Sequence, residues 1–137
     1  MILFLDVDGV LNTYTSREYF VEYNMNCLKM LAKSLDFKIV LSSDWRRNLK
    51  NLAEVRSELQ FIGLDIFDCT IVKLSLYFRK DEIGHWLSTN EWSKAVIIDD
   101  MSPNFCDPKI DGVLFHQTDD SLGLTEEDVD IILKKVR

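Results

Sequence analysis

Four unbroken apolar runs of strand length punctuate the chain: Ile2–Leu5, "KIVLS" at Lys38–Ser42, "AVIID" at Ala95–Asp99 and "GVLFH" at Gly112–His116. A strand with one wet face alternates apolar and polar residues, whereas a continuous run suits a strand covered on both faces, as in parallel sheets. Between the runs the period becomes that of helix. "NMNCLKMLAKSL" places Leu28, Leu31, Ala32 and Leu35 on one stripe, and "NLKNLAEVRSEL" does the same with Leu49, Leu52, Ala53 and Leu59. "DEIGHWL" offers Ile83, Trp86 and Leu87. Near the end Thr125 reads as an N-cap with Asp128 three residues on, followed by Val129, Ile132, Leu133 and Val136 at helical spacing. The alternation predicts an α/β fold: a three-layer, Rossmann-like sandwich with a mostly parallel sheet and right-handed crossovers. No repeat, linker or low-complexity segment divides residues 1–137, so one domain is expected.

In such a sheet ligands bind beyond the carboxyl ends of the strands. Three of the runs finish there in polar or acidic residues: Asp6 and Asp8 after the first, Ser42 and Ser43 at the second, Asp99 and Asp100 at the third. Strand alternation puts residues 6 and 8 on one side, and Gly9 permits a sharp turn just after them. Like charges this close repel, by roughly 4 kcal/mol at ~4 Å and an effective dielectric of about 20. Protonation or a bound cation offsets that cost. Oxygen ligands without nearby His or Cys point to a hard ion, and Mg²⁺ with a substrate phosphate fits best. On this reading, removing one acid, as in Asp8→Asn or Asp99→Asn, raises the melting temperature of the metal-free protein.

Composition narrows the field. Apolar residues make up 47% and charged residues 28%, a globular balance. No apolar run approaches the ~18 residues that span a bilayer, and no signal-like segment opens the chain, so a soluble, cytoplasmic protein is expected. Cys27, Cys69 and Cys106 are scattered and odd in number, which disfavours a zinc site or a disulfide framework. A net charge of −7 opposes broad electrostatic binding to nucleic acid. One local feature runs the other way: in "WRRNLK", Trp45, Arg46, Arg47 and Lys50 follow the second strand directly, and an aromatic beside cations stacks bases and meets phosphates. The competing reading packs Trp45 in the core and pairs the arginines with acids. His85 and His116 are read as structural.

Four motifs, in order, resemble those of the haloacid dehalogenase (HAD) superfamily of phosphohydrolases: "DVDGV" at Asp6–Val10, "KIVLSSDW", "RKDEIGHWL" and "VIIDDMS". The "SSDWR" form of the second is similar to that of small phosphatase domains associated with RNA repair, which act on polynucleotide ends. The resemblance implies an aspartyl-phosphate mechanism. Asp6 would be the nucleophile; Asp8 would protonate the leaving oxygen and then activate water. Ser43, or Ser42, would hydrogen-bond the phosphoryl group. Arg79 or Lys80 would neutralise it, with Arg46 at the rim. Asp6, the Asp8 backbone carbonyl, Asp99 and, in support, Asp100 would hold Mg²⁺. The stretches between motifs leave no room for a cap domain. An open site suits a large phosphorylated substrate such as a nucleic-acid end. Two other readings stand beside this one: a receiver-like module that holds its phosphate, and an inactive relative that serves as an interaction surface.

Overall fold

The computed structural model describes residues 1–73 and 75–137. Five parallel strands form one sheet: β1 (Ile2–Leu5), β2 (Lys38–Leu41), β3 (Ile66–Cys69), β4 (Ala95–Asp99) and β5 (Val113–Gln117), in the order β3-β2-β1-β4-β5. The helices are α1 (Glu22–Ser34), α2 (Leu49–Phe61), α3 (Arg79–Thr89), the single turn α4 (Pro103–Cys106) and α5 (Glu126–Val136). β1 is central, and its register pairs Leu5 with both Leu41 and Ile98. The expected α/β sandwich is what forms. Neither the β1–α1 nor the β3–α3 connection holds a folded cap among the described residues.

Alternation along the strands builds two cores. Leu3, Leu5, Ile39, Leu41, Val96 and Ile98 face one way and pack with Leu28, Leu31, Val55, Leu59, Val129 and Ile132 from α1, α2 and α5. Ile2, Phe4, Val40, Ala95 and Ile97 face α3, where Ile83, Trp86 and Leu87 meet them. Phe4 and Trp86 pack edge to face, ring centroids 5.5 Å apart. At the start of α5, the Thr125 hydroxyl accepts from the Asp128 N–H while the Asp128 carboxylate accepts from the Thr125 N–H. Two backbone donors of that helix start are thereby satisfied. His116 also reaches Asp128, at 2.7 Å.

Two expectations need correction. β3 lies outside the four apolar runs, because it sits at the sheet edge and only Ile66 is buried within it, while Phe67 and Asp68 are exposed. It lies in the stretch "LDIFDCTIVKL" between α2 and α3, whose last residue, Leu74, is outside the described residues. The apolar stripe of α2 is also displaced. Leu49 is 85% exposed and Ala53 is exposed, and the buried residues are Val55 and Leu59 with Leu52 beside them. Asn48 explains this. Its side chain accepts from the N–H groups of Lys50 and Asn51 and starts the helix there. Asp44–Arg47 form a separate 3-10 turn, so the phase of α2 is set by its own packing and not by the residues before it.

Candidate active site

The parity that separates the two cores continues past the strand ends. The Asp6 N–H donates to the Ile98 carbonyl, so Asp6 lies beside Asp99 on the face that Phe4 and Ile97 present to α3. Asp6 is 4% exposed and Asp99 0%. Asp100 joins them: a carboxylate oxygen from each of Asp6, Asp99 and Asp100 lies within 4.8 Å of the others. This close approach depends on Gly9. Its φ is +78°, and a Cβ there would overlap the Asp100 carboxylate. Gly9 is held in place by its N–H donating to the Asn12 side chain at 3.0 Å and its carbonyl accepting from the Thr118 hydroxyl at 2.7 Å.

Arg79, the first residue of α3, enters the cluster from the same face. Its guanidinium is 2.6 Å from Asp99 and 3.3 Å from Asp6. Burial opposes its charge, but Asp6 and Asp99 outweigh burial and hold the guanidinium protonated. Lys80, one residue on, instead points its ammonium at the Phe78 ring, 5.2 Å from the centroid. A step of one residue turns a helix by about 100°, so the two cations diverge. Three carboxylates against one guanidinium leave two negative charges uncompensated when all are ionised, which is the charge of one divalent cation. Both oxygens of Asp99 are engaged, one by Arg79 and one by the Met101 N–H. Asp100 is the freer ligand.

Burial pushes the Asp6 carboxyl well above its ordinary range; Asp99 adds to that and Arg79 opposes it. Burial likewise pushes Asp100 up to about 6, a hydrogen bond from Asp6 works against the shift, and the Asp99 charge adds to it. Both groups therefore bind protons more tightly folded than unfolded. Metal-free stability falls as pH rises from the unfolded carboxylate range, near 4, through about 6, and stays low above that. Asp100→Asn is expected to flatten this fall. At pH 7.5 it adds about 1 kcal/mol, a value reduced for the solvent exposure of Asp100, or roughly 3–5 °C in melting temperature. Thermal melts of both proteins in chelator at pH 5 and 7.5 check this. The gain expected for Asp99→Asn is withdrawn, because that change breaks the Arg79 pair.

Asp8 stands apart from the cluster. β1 ends at Leu5 and the chain turns at Asp8–Val10, so strand alternation does not carry residue 8 to the side of residue 6. The Asp8 carboxylate is exposed and accepts from the Trp45 indole at 3.2 Å and from the Asn12 amide at 3.0 Å. Asn12 also donates to the Tyr19 carbonyl at 2.9 Å, tying the β1–α1 loop to Asp8. Trp45 packs edge to face with Tyr19 and Phe20, and is half-buried. Ser42 and Ser43 are both buried at the end of β2. Ser42 spends its hydroxyl proton on the Leu5 carbonyl, while the Ser43 oxygen accepts from the Trp45 N–H and keeps its proton uncommitted.

Arg46 does not lie at the rim, contrary to its expected contact with substrate. Its side chain is 1% exposed and donates to the carbonyls of Ser42, Ser43 and Thr70 at 2.9–3.1 Å, and it pairs with the buried Glu82. The 3-10 turn rotates it inward, where it fastens β2 and the end of β3 to α3. Arg47 pairs with Asp44 and Glu82. Of the three cations of "WRRNLK", only Lys50 is both exposed and outside these pairs among the described residues. Asn12 and Glu82 were missed by sequence reasoning. Asn12 carried a signal, standing four residues beyond Asp8 in a turn-rich loop; Glu82 carried none.

A parallel sheet with acids gathered at its carboxyl edge around a buried arginine marks an α/β protein of the HAD type. The chain belongs to the family described as the HAD domain in Swiss Army Knife RNA repair proteins, which it matches over residues 2–129. It is in that general sense a HAD-type phosphohydrolase, of a superfamily that generally uses Mg²⁺. Comparison with curated proteins and with solved structures gives no match for the chain. Among the described residues no helix is long and apolar enough to cross a membrane.

Proposed function

We propose that this protein is a Mg²⁺-dependent phosphomonoesterase that works through phospho-Asp6 and acts on phosphorylated nucleic-acid ends. The observation that carries the reading is the division of labour among the acids. Asp6 is locked beside Arg79, Asp99 and Asp100, while Asp8 stands clear at the mouth, held by Trp45 and Asn12. The ion would be held by Asp6 and Asp100, with Asp99 behind them. When bound, it would supply positive charge to offset that of the phosphoryl group and the acids. An Asp6 oxygen attacks phosphorus as the bond to the leaving oxygen breaks, and Asp8 gives that oxygen its proton. Asp8 then takes a proton from water, the water attacks phosphorus, and inorganic phosphate leaves with Asp6 restored. Ser43 donates its free hydroxyl proton to a phosphoryl oxygen. Arg79 balances the negative charge that gathers on Asp6 and the phosphoryl group. The open, uncapped mouth and the RNA-repair family support a polynucleotide end as substrate.

Phosphate release from an aryl phosphate tests the reading. It is expected to need millimolar Mg²⁺, to stop in chelator, and to slow about 100-fold or more in Asp8→Asn as general acid–base help is lost. Because metal binding requires ionised carboxylates, Mg²⁺ is also expected to raise the melting temperature more at pH 7.5 than at pH 5. Full activity in chelator sinks the metal; an unimpaired Asp8→Asn sinks the proton transfer.

A further inference from the structure

We propose that the cavity beside Asp8 receives the leaving nucleoside of the substrate and turns away a leaving phosphate. This rests on the phosphatase reading above. The cavity, about 290 Å³, is lined by Asp8, Tyr14, Glu18, Tyr19, Asp100 and Asp120 together with small residues of the β1–α1 loop. It therefore touches both the proposed proton donor and the acid cluster. The group that Asp8 protonates must depart on the Asp8 side, and this cavity lies there. A comparable cavity at the opposite, amino-terminal edge of the sheet, near Met1, Lys94 and Lys135, borders none of the catalytic acids.

The lining selects by chemistry. Tyr14 and Tyr19 line the cavity with largely exposed rings, 72% and 66%, and Tyr19 is braced edge to face by Trp45. Tyrosine faces stack nucleobases. The carboxylates of Glu18 and Asp120 have no side-chain partner among the described residues, and no lysine or arginine lines the cavity; Arg17, on the same loop, does not. Carboxylates accept from ribose hydroxyls and base amino groups, and they repel a phosphate. The loop is built to keep its shape: the Tyr14 N–H donates to the Asp120 carbonyl at 3.1 Å, and Asn12 anchors the Tyr19 carbonyl to Asp8. The volume lies at the small end of ligand sites, with room for one nucleoside. The next phosphodiester of a polynucleotide falls outside it. A nucleoside diphosphate, in contrast, would place its leaving phosphate among four carboxylates.

The test has a binding arm and a kinetic arm. A free nucleoside, which requires no chemistry, is expected to bind the wild type at millimolar concentration by ligand-observed NMR, and to lose that signal in Tyr14→Ala. In steady-state assays, kcat/KM for a nucleoside monophosphate is expected to exceed that for glycerol phosphate and for the nucleoside diphosphate by about tenfold or more. Tyr14→Ala should compress the first ratio about tenfold, the scale of one stacking contact. The double variant Glu18→Gln/Asp120→Asn should compress the second. Absent nucleoside binding, an unmoved first ratio, indifference of the diphosphate to the double variant, or a preference for phosphocholine over the nucleoside phosphate each overturns the assignment. Nucleoside binding without any phosphate release would instead support the cavity and overturn the phosphatase reading.

Discussion

Asp6→Asn is expected to lower kcat/KM for any phosphomonoester by about 10⁴-fold or more, with no phosphoenzyme trapped on acid quench. Nucleophile and its neighbours act as a unit in covalent catalysis, so loss of the attacking atom removes most of what the remaining groups contribute. An amide oxygen is a poor nucleophile and carries no charge for Arg79 to balance. The fold should survive. Arg79 keeps its 2.6 Å pair with Asp99, and the substitution removes a carboxylate whose ionisation is opposed by burial and by Asp99. The melting temperature of the metal-free variant is therefore expected to stay within a few degrees of wild type. Residual activity within tenfold of wild type, in protein shown to be folded, would rule out phospho-Asp6.

Arg46→Met is expected to cost about 3–5 kcal/mol, the range for breaking a buried ion pair from one side. At roughly 3–5 °C per kcal/mol for a chain of this size, the melting temperature falls by about 10–25 °C. The change leaves Glu82, buried at 4% exposure, with only the longer Arg47 contact, and removes the guanidinium donor from the carbonyls of Ser42, Ser43 and Thr70, of which Ser43 keeps the backbone N–H of residue 46. Burial already raises the Glu82 carboxyl, with Arg46 the chief opposing influence. Without Arg46 it rises further, so Glu82 binds a proton in the folded variant that the unfolded chain releases. The variant therefore loses stability as pH rises from the ordinary glutamate range, and its deficit against wild type is narrower at pH 5 than at pH 8. Arg46→Met/Glu82→Met should recover much of the loss, because no uncompensated charge stays buried. A substrate-binding Arg46 predicts a different outcome: a raised KM at an unchanged melting temperature.

These two residues mark how far the linear pattern reaches. Asp6 could be placed from sequence because a strand's alternation and its polar ending are local properties. β1, β2 and β4 were legible for the same reason: their middles are covered on both faces and apolar without a break, and half-buried β5 was legible from its Val113–Phe115 run. Ile83, Trp86 and Leu87 were also placed correctly, since α3 carries an uninterrupted helical period. Arg46 could not be placed. Its direction depends on whether "DWRR" turns with three residues or 3.6, and on a glutamate 36 positions away.

The same distinction runs through the site. Apolar runs closing in aspartate and serine were enough to specify a parallel sheet with its acids at the carboxyl edge, since burial and strand polarity follow from neighbouring residues. Long-range approach settled the rest: that Arg79 and not Lys80 meets Asp6, that Asp100 presses against Gly9, that Asp8 leaves the cluster for Trp45 and Asn12. Apart from Asp8–Asn12, four residues apart, each of those contacts joins segments distant in the chain. Their distances are fixed by how β1, β4 and α3 pack, a cooperative outcome of the whole core.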